Sequence, residues 1–282
     1  MTPARSPRPG HPYLAGAPLL VAHRGGSLLA PENTLFAFRL AVHEWWADML
    51  ETDVRLSKDG AVVVIHDATV DRTTDGTGAV ADHTVAEIQS LDAGYHFVDE
   101  EGEPVFRGRG ITIPTLDEVL EEFPSMRINV EAKEPAVAEP LARVIARHGA
   151  EHRVLIAAEY EKSRRGARGY PGPWGASFVQ ILLFWLLHRL PGGSPYTPGA
   201  DVLQVPERRG RLQVVTPRFV REAHRHSIPV QVWTVNREDD MRRLLDWGVD
   251  GIQTDRPDIL SAVLTERVGR PVPPGARTET GL

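Results

Sequence analysis

Short runs of β-branched and apolar residues alternate along this chain with longer segments of helical period, a pattern that points to βα units feeding a parallel sheet. Nine runs read as strands: Leu19–His23, Met49–Val54, Ala61–His66, Arg127–Ala132, Val154–Ala157, Ala176–Val179, Val202–Val205, Val230–Val235 and Ile252–Asp255. Nine is one too many for a closed eight-stranded barrel. The link Ser57-Lys58-Asp59-Gly60 resolves the count, because so short a connection joins only antiparallel neighbours, whereas a parallel crossover takes about a dozen residues or more. Ala61–His66 is then the return strand of a hairpin, and eight parallel strands remain.

The expected fold is therefore α/β, a (β/α)8 TIM barrel with a small insertion after a β-hairpin following strand 2. Helices are predicted over Thr34–Trp46, Leu116–Glu122 capped by Thr115, Val137–Arg147, Pro217–His226, Glu238–Trp247 capped by Asn236, and Asp258–Arg267. Residues 68–113, rich in Gly, Asp and Thr, form the insertion beside the barrel mouth, and Pro191 to Pro206 reads as a long loop. A chain of 282 residues fits one such domain, spanning 19–267, with Pro-rich tails 1–18 and 271–282 expected to be mobile.

Composition removes several function classes. A net charge of -6 gives no basic field for nucleic acid. The absence of cysteine excludes disulfides, thiolate metal sites and a cysteine nucleophile, and fits a reducing, cytoplasmic setting. Residues 1–18 contain no apolar core of a signal peptide, so export is not expected. The longest uncharged apolar stretch, Gly172 to Leu187, falls short of the ~20 residues that span a bilayer. Oligomeric state is not legible in the sequence.

Barrels carry their chemistry at the C-terminal ends of the strands. His23 and Arg24 end the first strand, Glu51 and Asp53 the second and Glu131 and Lys133 the third, with Trp233 near the end of the seventh. Strand side chains alternate, so Glu51 and Asp53 share a face, as do Glu131 and Lys133. In the hairpin, a four-residue loop sets Glu51 opposite His66 and a two-residue Asp59-Gly60 turn sets Asp53 there; either register puts His66 beside a carboxylate. Three converging carboxylates repel one another unless a cation joins them, and oxygen ligands suit one hard divalent ion, Mg2+ or Ca2+. Histidines, an arginine, a lysine and such an ion together suit phosphoryl chemistry.

At these residues the chain resembles the glycerophosphodiester phosphodiesterases. The resemblance runs through Val21-Ala-His-Arg-Gly-Gly and Ala30-Pro-Glu-Asn-Thr34, Leu50-Glu-Thr-Asp-Val54, Val64-Ile-His-Asp67, Asp71-Arg-Thr-Thr74, Asn129-Val-Glu-Ala-Lys133, Val232-Trp-Thr-Val-Asn236 and Thr254-Asp-Arg-Pro257. It implies His23 and His66 as the catalytic pair, and Glu51, Asp53 and Glu131 as metal ligands. It further implies Arg24 and Lys133 on the phosphate and Trp233 lining the substrate pocket. The implied reaction is hydrolysis of a glycerophosphodiester to sn-glycerol 3-phosphate and an alcohol. Two departures stand out: Trp46 replaces the usual small residue, and Ala157–Pro206 matches only loosely.

Plainer readings exist for each feature. Glu51 with Arg24, or Glu131 with Lys133, can be simple ion pairs. Glu32 and Asn33 are assigned to the start of the first helix rather than to the site, while Asp67 and Asp255 can orient neighbours. The segment 174–190 is apolar on every side of a helix, which suits a buried helix covered by the following loop. Its alternative is an exposed lip for the acyl chains of lysophospholipids, or for peripheral contact with a membrane surface. Two rival functions remain: a phospholipase C- or D-like enzyme on membrane lipids, and a non-catalytic phospholipid-binding barrel.

Overall fold

The computed structural model describes residues 12–158 and 161–277. β1 (Leu19–His23) leads to α1 (Leu35–Arg39), which continues as a π-helical turn over Leu40–Glu44. β2 (Met49–Leu56) and β3 (Val62–Val64) form the hairpin, and the insertion after it holds α2 (Val85–Gln89). Next come α3 (Leu116–Glu122), β4 (Arg127–Ala132), α4 (Ala138–Arg147), β5 (Val154–Ala157), α5 (Glu161–Gly166) and α6 (Phe178–Leu187). β6 (Leu203–Pro206) precedes a small ribbon of β7 (Arg208–Arg209) and β8 (Leu212–Gln213). The ring ends with α7 (Pro217–Arg225), β9 (Val230–Trp233), α8 (Glu238–Asp246), β10 (Gly251–Thr254) and α9 (Pro257–Val268), followed by α10 (Pro274–Arg277).

Strands pair in the order β5-β4-β2-β1-β10-β9-β6, all parallel, with β3 antiparallel on β2. The eighth staves in the barrel wall are Trp174 and Gly175, which bridge in parallel to Ile156 on one side and Val202 on the other. The expected strand Ala176–Val179 is thus displaced toward the N-terminus. The Gln180 side chain accepts from the Ser177 N–H at 3.0 Å, which starts a helix at Phe178.

The hairpin takes neither expected register. Leu56 pairs with Val62 and Val54 with Val64, because the loop spans Lys58 to Gly60, with the Gly60 N–H donating to the Ser57 carbonyl at 3.0 Å and Gly60 at φ 81°. A three-residue turn ending in a left-handed glycine is a standard hairpin geometry. Continued strictly, this pairing would set His66 against Thr52 on the outward face. Strand pairing instead ends soon after Val64, and the chain bends at His66, where Arg55 Nε holds the His66 carbonyl at 2.9 Å.

Local chemistry explains the helices. Thr115 and Glu118 close a capping box at α3, as the sequence implies; losing such a cap costs about 1 kcal/mol. At α8 the expected Asn236 cap is absent: Arg237 occupies the position without a side-chain bond, and Asn236 is committed elsewhere. Between barrel and helices lies the main core, in which Leu20, Leu50, Val54, Ile128 and Val130 meet Phe38, Leu116, Leu141 and Phe219. Each such buried side chain contributes about 1.5–3 kcal/mol.

Alternate residues point inside the barrel, where Leu19, Val21, Met49, Leu155 and Val202 pack with Tyr13. Tyr13 belongs to the stretch expected as a mobile tail, yet it is 1% exposed and its hydroxyl donates to Asn129. Residues 271–277, expected as mobile too, end in α10, and the rest of the tail expectation, for residues 1–11 and 278–282, lies outside the described residues. The insertion has its own small core of Val70, Val80, Ile88 and Ile111, fastened to Val63 and Ile65 of the hairpin.

Candidate active site

The inward alternation that fills the lower barrel with apolar groups brings His23, Glu51, Asp53 and Glu131 to its upper rim. Register makes this direct: His23 pairs with Glu51 across β1 and β2, and Asp53 with Glu131 across β2 and β4. One oxygen from each of Glu51, Asp53 and Glu131 falls within 4.8 Å of the others. All three expected ligands are therefore together.

Burial and the neighbouring Asp53 push the Glu51 carboxyl up to about 7, only partly offset by His23 and Arg24. Burial also opposes the charge on Asp53, but Lys133, Arg24 and His66 outweigh it and hold that carboxyl below its ordinary value. Lys133 Nζ lies 3.0 Å from both Asp53 and Glu131. The Arg24 backbone N–H donates to Glu51 at 3.1 Å, and its Nε lies 3.1 Å from Asp53, at an angle short of a hydrogen bond. Of the ion pairs foreseen in the plainer reading, Glu131 with Lys133 is present, whereas the Arg24 guanidinium pairs with Glu32 and Asp53 and Arg24 meets Glu51 through its backbone N–H. Two cations against three carboxylates, of which Glu51 and Asp53 are buried, still leave negative charge, and the donor set is all oxygen; both features fit a hard divalent ion.

His23 is anchored at Nδ1 by Asp255, 2.6 Å away, and its Nε2 lies 3.8 Å from Glu51. Burial disfavours its charged form, but Glu51 and Asp255 prevail and raise its pKa. His66 is anchored in the same manner, Nδ1 to Asp67 at 2.6 Å, and it follows Ile65, whose N–H donates to the Asp53 carbonyl at 2.9 Å beside the end of β2. A carboxylate at Nδ1 fixes the proton there and leaves Nε2 for exchange with a ligand. Trp233, at the end of β9 and 42% exposed, stands on the far side of the sheet order from Glu131.

Backbone geometry supports this cluster. Arg24 has φ 51°, and a Cβ on Gly25 would meet Ala37 at 2.8 Å while one on Gly26 would meet Pro257 at 2.8 Å, so the turn after β1 lies flat on two helices.

Several further side chains support the site beyond those expected to form it. Glu32 takes Arg24 at 2.9 Å and Arg72 at 2.7 Å, whereas the helix cap is Thr34. Asn33 links Asp53 at 3.2 Å to Thr52 at 2.7 Å. Asn236 donates to Asp255 at 2.8 Å, and Ser27 donates to it at 2.6 Å. Arg72 was visible only as part of a motif; it joins Glu32 to Asp67.

The model of the glycerophosphoryl diester phosphodiesterase family matches residues 23–165 and 189–259. A glycerophosphodiester phosphodiesterase of Caldanaerobacter subterraneus subsp. tengcongensis is 36% identical over 249 residues, covering 86% of this chain and 96% of its own. A probable glycerophosphodiester phosphodiesterase 1 of Mycobacterium tuberculosis is 41% identical over 269 residues, covering 90% and 94%. Among solved structures, a glycerophosphodiester phosphodiesterase from Agrobacterium tumefaciens superposes with TM-score 0.70 at 28% identity, covering 86% of this chain and 99% of that one. An Oleispira antarctica phosphodiesterase in complex with the product sn-glycerol-3-phosphate gives 0.69 at 25% identity, covering 88% and 97%.

Proposed function

This chain belongs to the glycerophosphoryl diester phosphodiesterase family, and from that premise we propose that it hydrolyses glycerophosphodiesters to sn-glycerol 3-phosphate and an alcohol at the rim that holds His23 and His66. The observation that carries this reading is the matched pair of imidazoles, each held at Nδ1 by its own carboxylate at 2.6 Å beside one carboxylate cluster.

Each histidine offers Nε2 to the substrate. One takes the proton of the attacking oxygen and the other gives a proton to the leaving alkoxide, so neither a free hydroxide nor a free alkoxide forms. Arg24 and Lys133 set positive charge beside the phosphate, and Trp233 lines the substrate pocket. Glu51, Asp53 and Glu131 would hold one divalent ion, Mg2+ or Ca2+, which when bound supplies Lewis-acid polarisation of a phosphate oxygen.

Lysophospholipids form a second substrate class in this reading, with residues 174–190 in peripheral contact with a membrane surface. It is favoured by the exposure of α6: Val179 is 56% and Leu186 51% exposed, where a covered helix was expected, and only Phe184 of the helix is fully buried.

Product analysis tests the proposal. Glycerophosphocholine should yield sn-glycerol 3-phosphate and choline, and lysophosphatidylcholine should yield lysophosphatidic acid and choline. Release of phosphocholine, or cleavage of phosphatidylinositol in preference to both, would replace it with a phospholipase C-like activity.

A further inference from the structure

Residues 166–188 fall between the two stretches that the family model matches, so α6 belongs to the part of this chain that the family does not prescribe. Along it, Phe178, Val179, Leu182, Leu183 and Leu186 are exposed, while Ile181 and Trp185 pack against the main core. One side of the helix is therefore anchored and the other presents an unbroken apolar strip to solvent. Hydrophobic residues scattered singly need no explanation, but a continuous strip does.

Within the stretch of chain that carries this strip, the exposed charges have one sign. Between positions 172 and 219 the acidic residues are Asp201, which is buried, and Glu207, which is tied to Arg243 at 2.7 Å. Arg189, Arg208, Arg209, Arg211 and Arg218 are all exposed in the same span. Arg209 lies with its guanidinium 5.0 Å from the Phe178 ring centroid, so the β7–β8 ribbon stands directly beside the start of α6. Leu212, which pairs with Arg209 across that ribbon, is 48% exposed and extends the apolar strip. At the other end, Arg189 stacks on Trp185 at 3.4 Å. A chain of net charge -6 thus has arginines at both ends of this apolar surface.

This corner adjoins the mouth of the barrel. β6 ends at Pro206, whose Cα pairs with Trp233, and the arginine ribbon follows within two residues. α6 likewise starts just beyond the staves Trp174 and Gly175, at the C-terminal end of the wall.

We infer that the apolar face of α6 and the arginine ribbon 208–211 form a docking surface for an anionic lipid bilayer, which brings the barrel mouth to the headgroup layer. The inference deepens the membrane contact proposed above and rests on it. Apolar side chains enter the boundary between headgroups and acyl chains, and the arginines meet lipid phosphates, the two-part chemistry of peripheral helices. Neutral surfaces satisfy only the first part, and nucleic acid only the second.

Cosedimentation of the full chain with sucrose-loaded vesicles tests this, comparing phosphatidylcholine alone with a mixture of phosphatidylcholine and phosphatidylglycerol. Binding should favour the anionic vesicles and weaken as salt is raised. The double variant R208E/R209E should weaken binding to the mixed vesicles by roughly twenty-five-fold or more, since each basic residue at such a surface is worth about a fivefold gain. L182E/L186E should abolish binding, and L182S/L186S should reduce it with less disturbance of charge. Thermal midpoint and turnover of glycerophosphocholine in solution should be unchanged in all three. Equal binding to both vesicle types, undiminished binding by the variants, or a dimer that L182E/L186E dissolves would overturn the inference. Glycerophosphocholine turnover reports separately on the catalytic reading: its absence in the unaltered chain, with vesicle binding intact, would sink that reading alone.

Discussion

Asp255 and His23, which are 232 positions apart in the chain, meet at 2.6 Å because β10 closes the barrel against β1. Asp255 is itself held by Ser27 and Asn236, so it has little freedom to turn away. Burial depresses the charged form of His23, while Glu51 and Asp255 favour it more strongly and raise its pKa. Asp255→Asn removes one of the raising influences. The limb of the kcat/KM profile that belongs to His23 should therefore move to lower pH, with kcat reduced roughly tenfold to a hundredfold. An unmoved profile would mean that Asp255 only supports the fold.

Arg72 plays a comparable part for the other histidine. Its guanidinium reaches Asp67, the anchor of His66, and Glu32, the partner of Arg24. Arg72→Gln should lower kcat about tenfold while leaving the thermal midpoint nearly unchanged, because the side chain is half exposed and exposed pairs contribute little to stability. Arg72→Lys should recover only part of the rate, since one ammonium cannot replace a fork shared between two carboxylates. Equal kcat in all three proteins would refute this positioning role.

Glu51 connects the site to stability. Its carboxyl titrates at about 7 in the folded chain against an ordinary 4.5, so the folded state favours the protonated form. Stability from this group is full below the ordinary value and declines as pH rises from there through 7. The metal-stripped protein should lose a few kcal/mol across that window, and Glu51→Gln should flatten the loss. Thermal melts at several pH values with chelator present measure it; a parallel decline in both proteins would contradict the assignment.

Trp46 holds φ 51° and is 42% exposed, in a position where the resemblance led one to expect a small residue. A left-handed backbone costs a bulky residue about 1–2 kcal/mol, and glycine escapes that cost. Trp46→Gly should therefore raise the thermal midpoint by about 2 °C. A fall would show that the indole makes packing contacts worth more than the strain.

The sequence made some of this architecture readable and hid the rest for definable reasons. His23, Glu51, Asp53 and Glu131 could be placed at one rim because strand side chains alternate with a period of two and barrel chemistry sits at strand ends. The eighth position in the wall was misplaced by two residues: Trp174 and Gly175 form single bridges that leave no run of β-branched residues to detect. The hairpin register escaped because a loop of three residues lies between the two turns considered, and one residue reverses every side chain. Asn236 looks locally like a helix cap, yet its partner Asp255 is brought near only by closure of the barrel. The apolar helix α6 was recognisable as unusual, but whether a loop covers it depends on where residues 191–202 run, which no local pattern encodes.

The central claim is that two anchored imidazoles cleave a phosphodiester at one rim, where three carboxylates would hold a divalent ion. Release of glycerol 3-phosphate from glycerophosphocholine tests it most directly, using protein stripped with chelator, then supplied with Mg2+ or Ca2+, beside His23→Ala and His66→Ala. The account predicts that stripping abolishes release, that one of the ions restores it, and that each alanine variant loses roughly a hundredfold or more even with the ion present. Undiminished release by the stripped protein, or by both variants, would contradict it.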